Sequence, residues 1–262
     1  MQYTSTPPNR FMKRNWKRAI TFIGAVLFLG SALQAEEKCS AEVKLLLSPP
    51  TIQTVIASLS FKNETAGQIY FFDTDVLDLQ KQGVIVRVRQ GAANDLTVKM
   101  RVPEGSKQDD ISRLRVNFAC EINRTGAGED TDYSVKRKYK TEHVPESGAG
   151  IFKLLSPAQK KLLQEARVSI DWTRVTKIAD IKSTQWESTP QPRLGKLALE
   201  LWEWPSGDVL EISVKAGPDA EQSMYAELQQ LVHRKNLSLS PSQGSKTSMV
   251  LETPTHRTSP LR

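Results

Sequence analysis

The sequence has 262 residues, 39% of them apolar, and a formal net charge of +7. This length is enough for one well-formed hydrophobic core, so we expect a single folded domain. The charge does not indicate binding to a nucleic acid polymer: five of the 36 basic residues lie in the first 35 positions, and the remaining 31 face 29 acidic residues.

The first 35 residues have the features of an export signal. A basic stretch, MKRNWKR, precedes an apolar run over residues 19–33 and a small-residue pattern, ALQA. This order predicts a signal peptide over residues 1–35, cleavage after Ala35 and a periplasmic or secreted product. An uncleaved membrane anchor is the alternative, although the run is short for a bilayer span. Residues 253–262 are rich in Thr, Ser and Pro and are predicted to be disordered, which leaves residues 36–252 as the folded domain.

Cys39 and Cys120 are the two cysteines of the chain. In an exported protein, two cysteines commonly form one disulfide, and we expect that bond here. Two unpaired buried thiols are the alternative.

Eight strands are predicted after the signal. Residues 84–90 and 96–102 form a hairpin around the turn-rich GAAND. The other predicted strands cover 42–47, 112–123, 133–140, 174–181, 196–204 and 209–216. Residues 124–132 are predicted as a loop, and helices are predicted over 48–59, 156–167 and 219–237.

Alternation in these strands indicates a sheet with one apolar and one charged face, because successive side chains of a strand point to opposite faces. In the first hairpin strand, Val86 and Val88 lie on one face and Arg87 and Arg89 on the other. The charged face also carries Glu42, Lys44, Lys99, Arg101, Arg113, Arg115, Glu121, Glu211 and Lys215.

The charged face of the hairpin carries only cations. Arg87, Arg89, Lys99 and Arg101 have no acidic residue within 84–90 or 96–102. Like charges that face each other across a hairpin are destabilising, so an ordinary solvated face would mix their signs. Clustered guanidinium groups favour a ligand of high negative charge density such as phosphate. A solvated sheet face without a ligand is the alternative.

The stretch YFFDTDVLDLQKQGVIVRVRQ, followed by LTVKMR, resembles the signature of the CYTH domain. This domain is found in class IV adenylate cyclases, thiamine triphosphatases and other triphosphate tunnel metalloenzymes. EVKLLL, CEIN and VLEISVK are further, weaker similarities. The resemblance implies an α+β fold in which an antiparallel eight-stranded barrel, open at both ends, turns its charged faces inward and packs helices outside.

The resemblance also implies a site inside the barrel. It assigns the catalytic lysine to Lys44 and implies that a triphosphate, polyphosphate or nucleotide is bound by basic side chains. Glutamates inside such barrels hold Mg²⁺ or Mn²⁺, which would bridge phosphate oxygens. The implied phosphate-binding set is Arg87, Arg89, Lys99, Arg101 and Arg115, and the implied metal-binding set is Glu42, Glu121 and Glu211.

Two positions depart from the family pattern. The opening Glu-x-Glu-x-Lys motif begins with Ser40, and a later Glu-x-Glu motif ends in Ser213. Magnesium can be held by one or two carboxylates together with substrate phosphates, so these losses weaken a metal site without abolishing it. We therefore expect an exported protein that binds triphosphate or polyphosphate, and slow metal-dependent triphosphatase activity is a hypothesis. A non-catalytic anion-binding or envelope-associated module is the alternative.

Overall fold

The computed structural model describes most of the chain between Cys39 and Thr253. The described ranges are 39–48, 52–103, 105–106, 108–217 and 219–253. The predicted signal peptide, and all of the predicted tail except Thr253, lie outside the described residues. Within these ranges, no helix combines the length and hydrophobicity that a membrane span requires.

Nine strands within the described ranges close into a barrel. They are β1 (Ser40–Leu47), β2 (Phe61–Asp73), β3 (Val84–Gly91), β4 (Asp95–Pro103), β5 (Ala119–Thr125), β6 (Gly128–Lys138), β7 (Thr176–Ser188), β8 (Leu197–Trp204) and β9 (Gly207–Ala216). Their order around the barrel is β1-β5-β6-β4-β3-β2-β7-β8-β9, and β9 pairs with β1 to close it. The predicted α+β class and barrel are confirmed, but the prediction of eight strands is wrong.

The unpredicted strand is β2. Its first half is polar and largely exposed, and it therefore lacks the alternation by which a strand is recognised in a sequence. The prediction of a wholly antiparallel barrel is also wrong, because β1 pairs in parallel with β5, from Ser40 opposite Glu121 to Val43 opposite Arg124. The β5-β6 hairpin fills the space between β1 and β4, and the barrel is therefore mixed.

Residues 112–117 are helical, although they were predicted as strand. They belong to α3 (Gln108–Asn117), and β5 begins only at Ala119. Leu114 and Phe118 both contact an apolar cluster outside the barrel. A spacing of four residues places two side chains on one side of a helix and also on one side of a strand, so the pattern does not distinguish the two.

The other helices within the described ranges are α1 (Ile52–Leu59), α2 (Asp78–Lys81), α4 (Gly148–Leu154), α5 (Pro157–Glu165), α6 (Glu221–Arg234) and α7 (Lys246–Glu252). Helices α1 and α6 bury Leu59 and Leu228 against the outer apolar face of β1 and β9, next to Val43 and Ile212. The prediction that helices pack outside the barrel is confirmed for these elements.

Helix α5 holds the outer face of the cationic hairpin. It begins as predicted, with Ser156 and Gln159 forming a capping box in which the Ser156 hydroxyl accepts from the Gln159 amide at 3.2 Å. The buried Gln159 side chain also donates to the Leu96 carbonyl of β4 at 2.8 Å. With Leu162 buried in the same outer cluster, this contact fixes β4 and leaves its charged residues directed inward.

Candidate functional site

The charged faces of the strands turn into the barrel and line a cavity of about 720 Å³. On β3, Val86 and Val88 are buried in the outer cluster, whereas Arg87 and Arg89 line the cavity. The basic residues of the cavity are Lys44, Arg87, Arg89, Lys99, Arg101, Lys136, Lys215 and Lys246. The predicted metal ligands Glu42, Glu121 and Glu211 line it too. Of the residues predicted for the site, all but Arg115 therefore converge on this cavity.

Arg115 lies on α3, outside the barrel. Burial raises the pKa of Tyr133, and the nearby Arg115 charge partly opposes this effect. Because Tyr133 belongs to the outer apolar cluster, this proximity places Arg115 on the outer side of the sheet. The implied role of Arg115 in phosphate binding depended on a strand over 112–117, and it loses its basis with that strand.

Asp132 on β6 pairs with two of the predicted phosphate-binding cations. It accepts hydrogen bonds from Lys99 Nζ at 2.8 Å and Arg101 Nε at 3.0 Å, and Asn123 Nδ2 donates to it at 2.8 Å. Burial raises the pKa of Asp132, but the two cations outweigh this effect and lower it to about 2. The cations of β4 are therefore partly balanced by an acid from the neighbouring strand.

Arg89 is neutralised in a similar way by Asp95, the first residue of β4. Arg89 Nε lies 3.1 Å from Asp95 Oδ2, and the Thr97 hydroxyl donates to Asp95 Oδ1 at 2.9 Å. Burial raises the pKa of Asp95, but the hydrogen bonds and charge of Arg89 outweigh burial and hold this pKa below its usual value. The expectation of a hairpin without acids was wrong because β4 starts one residue earlier than predicted.

Two basic residues of the cavity, Arg87 and Lys136, have no ion-pair partner among the described residues. They lie in one row across three strands, since Arg87 is opposite Thr97 and Thr97 is opposite Lys136. The buried Nε of Arg87 has no hydrogen-bond partner in the described part of the chain. Burial and the neighbouring Arg89 lower the pKa of Arg87 to about 10, so it remains charged at neutral pH. We call Arg87, Thr97 and Lys136 the open row.

The glutamates predicted to bind metal are already paired with lysines. Glu42 Oε2 lies 3.1 Å from the Nζ of both Lys44 and Lys215, and Glu121 Oε2 lies 2.6 Å from Lys215 Nζ. Burial raises the pKa of Glu42, but these two lysines lower it to about 2. No group of three or more acidic, histidine or cysteine side chains in the described ranges is arranged to hold a metal ion. The carboxylates present therefore do not fit a divalent ion without displacing an ammonium group.

Glu211 is paired with Lys246, the first residue of α7. The Lys246 ammonium is 2.9 Å from Glu211 Oε1, contacts Glu200 Oε2, and lies 4.6 Å from the centre of the Trp202 ring. Burial lowers the pKa of Lys246, and the two glutamates reverse this effect and raise it above its usual value. Lys246 is therefore protonated at neutral pH, and α7 places its ammonium group inside the barrel.

One end of the barrel interior is apolar. Leu46, Trp202 and Val209 have the same strand parity as the charged residues Lys44, Glu200 and Glu211, and so point inward. They form one buried cluster with Val250 and Leu251 of α7. Helix α7 therefore closes this end of the barrel, and the charged cavity occupies the remainder.

Four important residues of the cavity were not predicted from the sequence: Asp132, Lys136, Glu200 and Lys246. Asp132 fell in a region predicted as a loop, although Asp130, Asp132, Ser134 and Lys136 alternate with less polar residues as a strand requires. Lys246 lies on a short helix that begins about 30 residues after the last strand in the sequence, and no local pattern indicates its position in the fold.

Comparison with known proteins supports the fold. No known family model matches the sequence, and no curated protein matches it. Among solved structures, the putative adenylyl cyclase of Hippeastrum, described as having a dominant triphosphatase activity, aligns with 17% identity and a TM-score of 0.57, over 80% of this chain and 94% of that chain. A putative adenylate cyclase from Bacillus halodurans aligns with 17% identity and a TM-score of 0.54, over 81% and 97%. The chain therefore has the barrel fold of these proteins, and the resemblance to the CYTH fold is confirmed.

Proposed function

We propose that this protein binds a linear triphosphate or polyphosphate inside the barrel, and that binding rather than turnover is its function. The open row is the observation that carries this proposal. The buried Nε of Arg87 has no hydrogen-bond partner among the described residues, which is costly, and such an atom is expected where a ligand completes its hydrogen bonds. Phosphate oxygens match the guanidinium fork and the ammonium group of this row.

The size of the cavity and its two unpaired cations agree with such a ligand. A volume of about 720 Å³ is within the usual range for small-molecule sites. Lys99 and Arg101 share Asp132, so they contribute less free charge than Arg87 and Lys136. A phosphate chain that binds along the open row would therefore meet its strongest unneutralised charges at β3 and β6.

The environment of Lys44 also favours binding over catalysis. Burial lowers the pKa of Lys44, but Glu42, Glu211 and Glu121 raise it to about 12. The amine is protonated at neutral pH, so it supplies positive charge and cannot accept a proton from water. The carboxylates that would hold Mg²⁺ or Mn²⁺ are paired with lysines, and the slow triphosphatase activity hypothesised from the sequence has little support in this arrangement.

We also infer that the protein is exported. The Cys39–Cys120 disulfide supports this inference, because structural disulfides persist in oxidising compartments. The apolar run and cleavage pattern of residues 1–35 are the second support. Extracytoplasmic phosphate polymers are therefore more plausible ligands than cytosolic nucleotides.

Calorimetric titration of the purified protein with tripolyphosphate tests the proposal. We expect binding in chelator as well as in Mg²⁺, and a loss of affinity of about tenfold or more in Arg87→Gln, since a charged hydrogen bond contributes about 1.5–3 kcal/mol. Arg174→Gln is the matched control, because Arg174 is 56% exposed and lies outside the cavity. Equal affinity of wild type and Arg87→Gln would disprove the proposal, and chelator-sensitive phosphate release would restore the triphosphatase hypothesis.

A further inference from the structure

The Lys246 ammonium lies between two inward-pointing glutamates on neighbouring strands. Glu200 and Glu211 are direct cross-strand partners on β8 and β9, and both point inward. Two like charges opposite each other destabilise a sheet unless a cation lies between them. Here that cation is the Lys246 ammonium, which contacts both carboxylates.

The placement of Lys246 is not explained by the needs of its own helix. A lysine in the first turn of a helix meets the positive end of the helix dipole, which is unfavourable. Burial of an ammonium group is also costly unless it is paired and hydrogen-bonded. Lys246 is only 6% exposed and packs over the Trp202 ring. These costs are offset mainly by the two glutamates, with a smaller contribution from the Trp202 ring, so the ion pairs determine where the residue lies.

Glu200 is held in place by contacts other than Lys246. Glu200 Oε1 accepts hydrogen bonds from the Ser183 hydroxyl at 2.9 Å and from Gln185 Nε2 at 2.7 Å. Glu200 Oε2 and Glu211 Oε1 are the oxygens that face Lys246. A hard divalent cation such as Mg²⁺ keeps several water ligands and is commonly bound through one or two carboxylates. Removal of the ammonium group would therefore leave two facing carboxylate oxygens, with Glu200 already held in position, to which such a cation can bind.

We propose that Lys246 occupies the Glu200–Glu211 carboxylate pair as a built-in cation in place of a divalent metal ion, so that the barrel binds its anion without metal. The apolar contacts of Val250 and Leu251 hold α7 in the end of the barrel and keep the ammonium between the glutamates. The part of this inference that concerns the anion rests on the proposed function. The part that concerns the displaced metal does not.

The test is Mn²⁺ binding to the purified protein in the absence of phosphate, measured by titration calorimetry and electron paramagnetic resonance. Wild type and Lys246→Arg should bind no Mn²⁺ at this site. Lys246→Met should bind one ion per chain, and the double variant Lys246→Met with Glu200→Gln should lose it. Lys246→Met that binds Mn²⁺ no better than wild type would overturn the proposal.

Unfolding of Lys246→Met must be distinguished from the absence of a site. Because Mn²⁺ would replace the missing cation, we expect it to raise the Tm of Lys246→Met and leave that of wild type unchanged. If Lys246→Met is too unstable to purify, the test uses wild type and Glu211→Gln instead. Mn²⁺ binding by wild type that is lost in Glu211→Gln would refute the inference. Failure of wild type to bind tripolyphosphate would refute the proposed function and leave the phosphate-free Mn²⁺ results interpretable.

Discussion

The carboxylate of Asp132 accepts a 2.8 Å hydrogen bond from the Lys99 ammonium inside the barrel, and the same carboxylate binds Arg101. One acid from β6 thus offsets part of the charge of two cations of β4. Asp132 is fully buried, with a side chain 1% exposed. It therefore stabilises the barrel and at the same time limits the positive charge that an anion meets.

Asp132→Asn should separate these two effects. We expect the free energy of unfolding to fall by about 3 kcal/mol, because one partner of a buried ion-pair network is lost. Tripolyphosphate affinity should rise several-fold, since Lys99 and Arg101 are released. Urea denaturation and calorimetry measure the two quantities, with the exposed Asp208→Asn as control. Weaker tripolyphosphate binding in a folded Asp132→Asn would show that Asp132 shapes the site rather than neutralising it.

Arg87→Met should make the protein more stable. Its Nε is buried without a hydrogen-bond partner and its charge has no ion-pair partner in the described ranges, so an apolar side chain removes an uncompensated cost of about 1–2 kcal/mol. Arg89→Met is the matched comparison, and it should destabilise the protein because Asp95 is left buried and unpaired. Chemical denaturation without ligand checks both. The same loss of stability in the two variants would contradict the assignment of Arg87 to a ligand.

Stability should fall as the pH is lowered from about 5 to 2. Glu42 and Asp132 have a folded-state pKa of about 2, below their values in an unfolded chain. At pH values between the folded and unfolded pKa, the unfolded state binds more protons than the folded state. The stabilisation from these two groups is therefore complete above the unfolded pKa and is lost as the pH falls through the folded pKa. For Asp132 the shift corresponds to about 2 kcal/mol.

Denaturation curves of Asp132→Asn at several pH values provide the check. The loss of stability over this pH range should be smaller than in wild type by about 2 kcal/mol. Asp208→Asn should retain the wild-type slope. An unchanged slope in Asp132→Asn would mean that Asp132 is not the group that titrates.

Removal of the disulfide should lower stability substantially. Cys39 and Cys120 are 81 residues apart in the sequence, and a cross-link that closes so long a loop contributes about 2–5 kcal/mol. Reductant should lower the Tm of wild type. The Cys39→Ser, Cys120→Ser double variant should have the Tm of reduced wild type whether or not reductant is present. A wild-type Tm that reductant does not change would contradict this prediction.

Strict alternation on β3, β4 and β9 predicted a sheet with one charged face, and the resemblance to the CYTH domain implied that this face lines a barrel. The strand prediction failed where alternation is weak. Strand β2 begins with an exposed polar stretch, and Leu114 and Phe118 have a spacing that suits helix and strand equally. Arg115 was assigned to the site for that reason.

The charge balance of the cavity could not be predicted from the sequence. Asp132 and Lys136 pair with or face residues more than 30 positions away, and Lys246 reaches Glu200 from 46 positions further along the chain. Such pairings are set by tertiary contacts, which no local pattern encodes. A site whose cations appear unopposed in the sequence can therefore be largely neutralised in the fold.

The parallel pairing of β1 with β5 has a consequence for how the barrel assembles. Strand β1 is made first, yet its two neighbours, β5 and β9, begin about 80 and 170 residues later. The backbone edges of β1 therefore remain unpaired until β5 and β9 have been synthesised. Contacts of such long sequence separation form slowly. Closure of the barrel at β1 is thus expected to be the last and rate-limiting event of folding. Before closure, a chaperone would protect this strand.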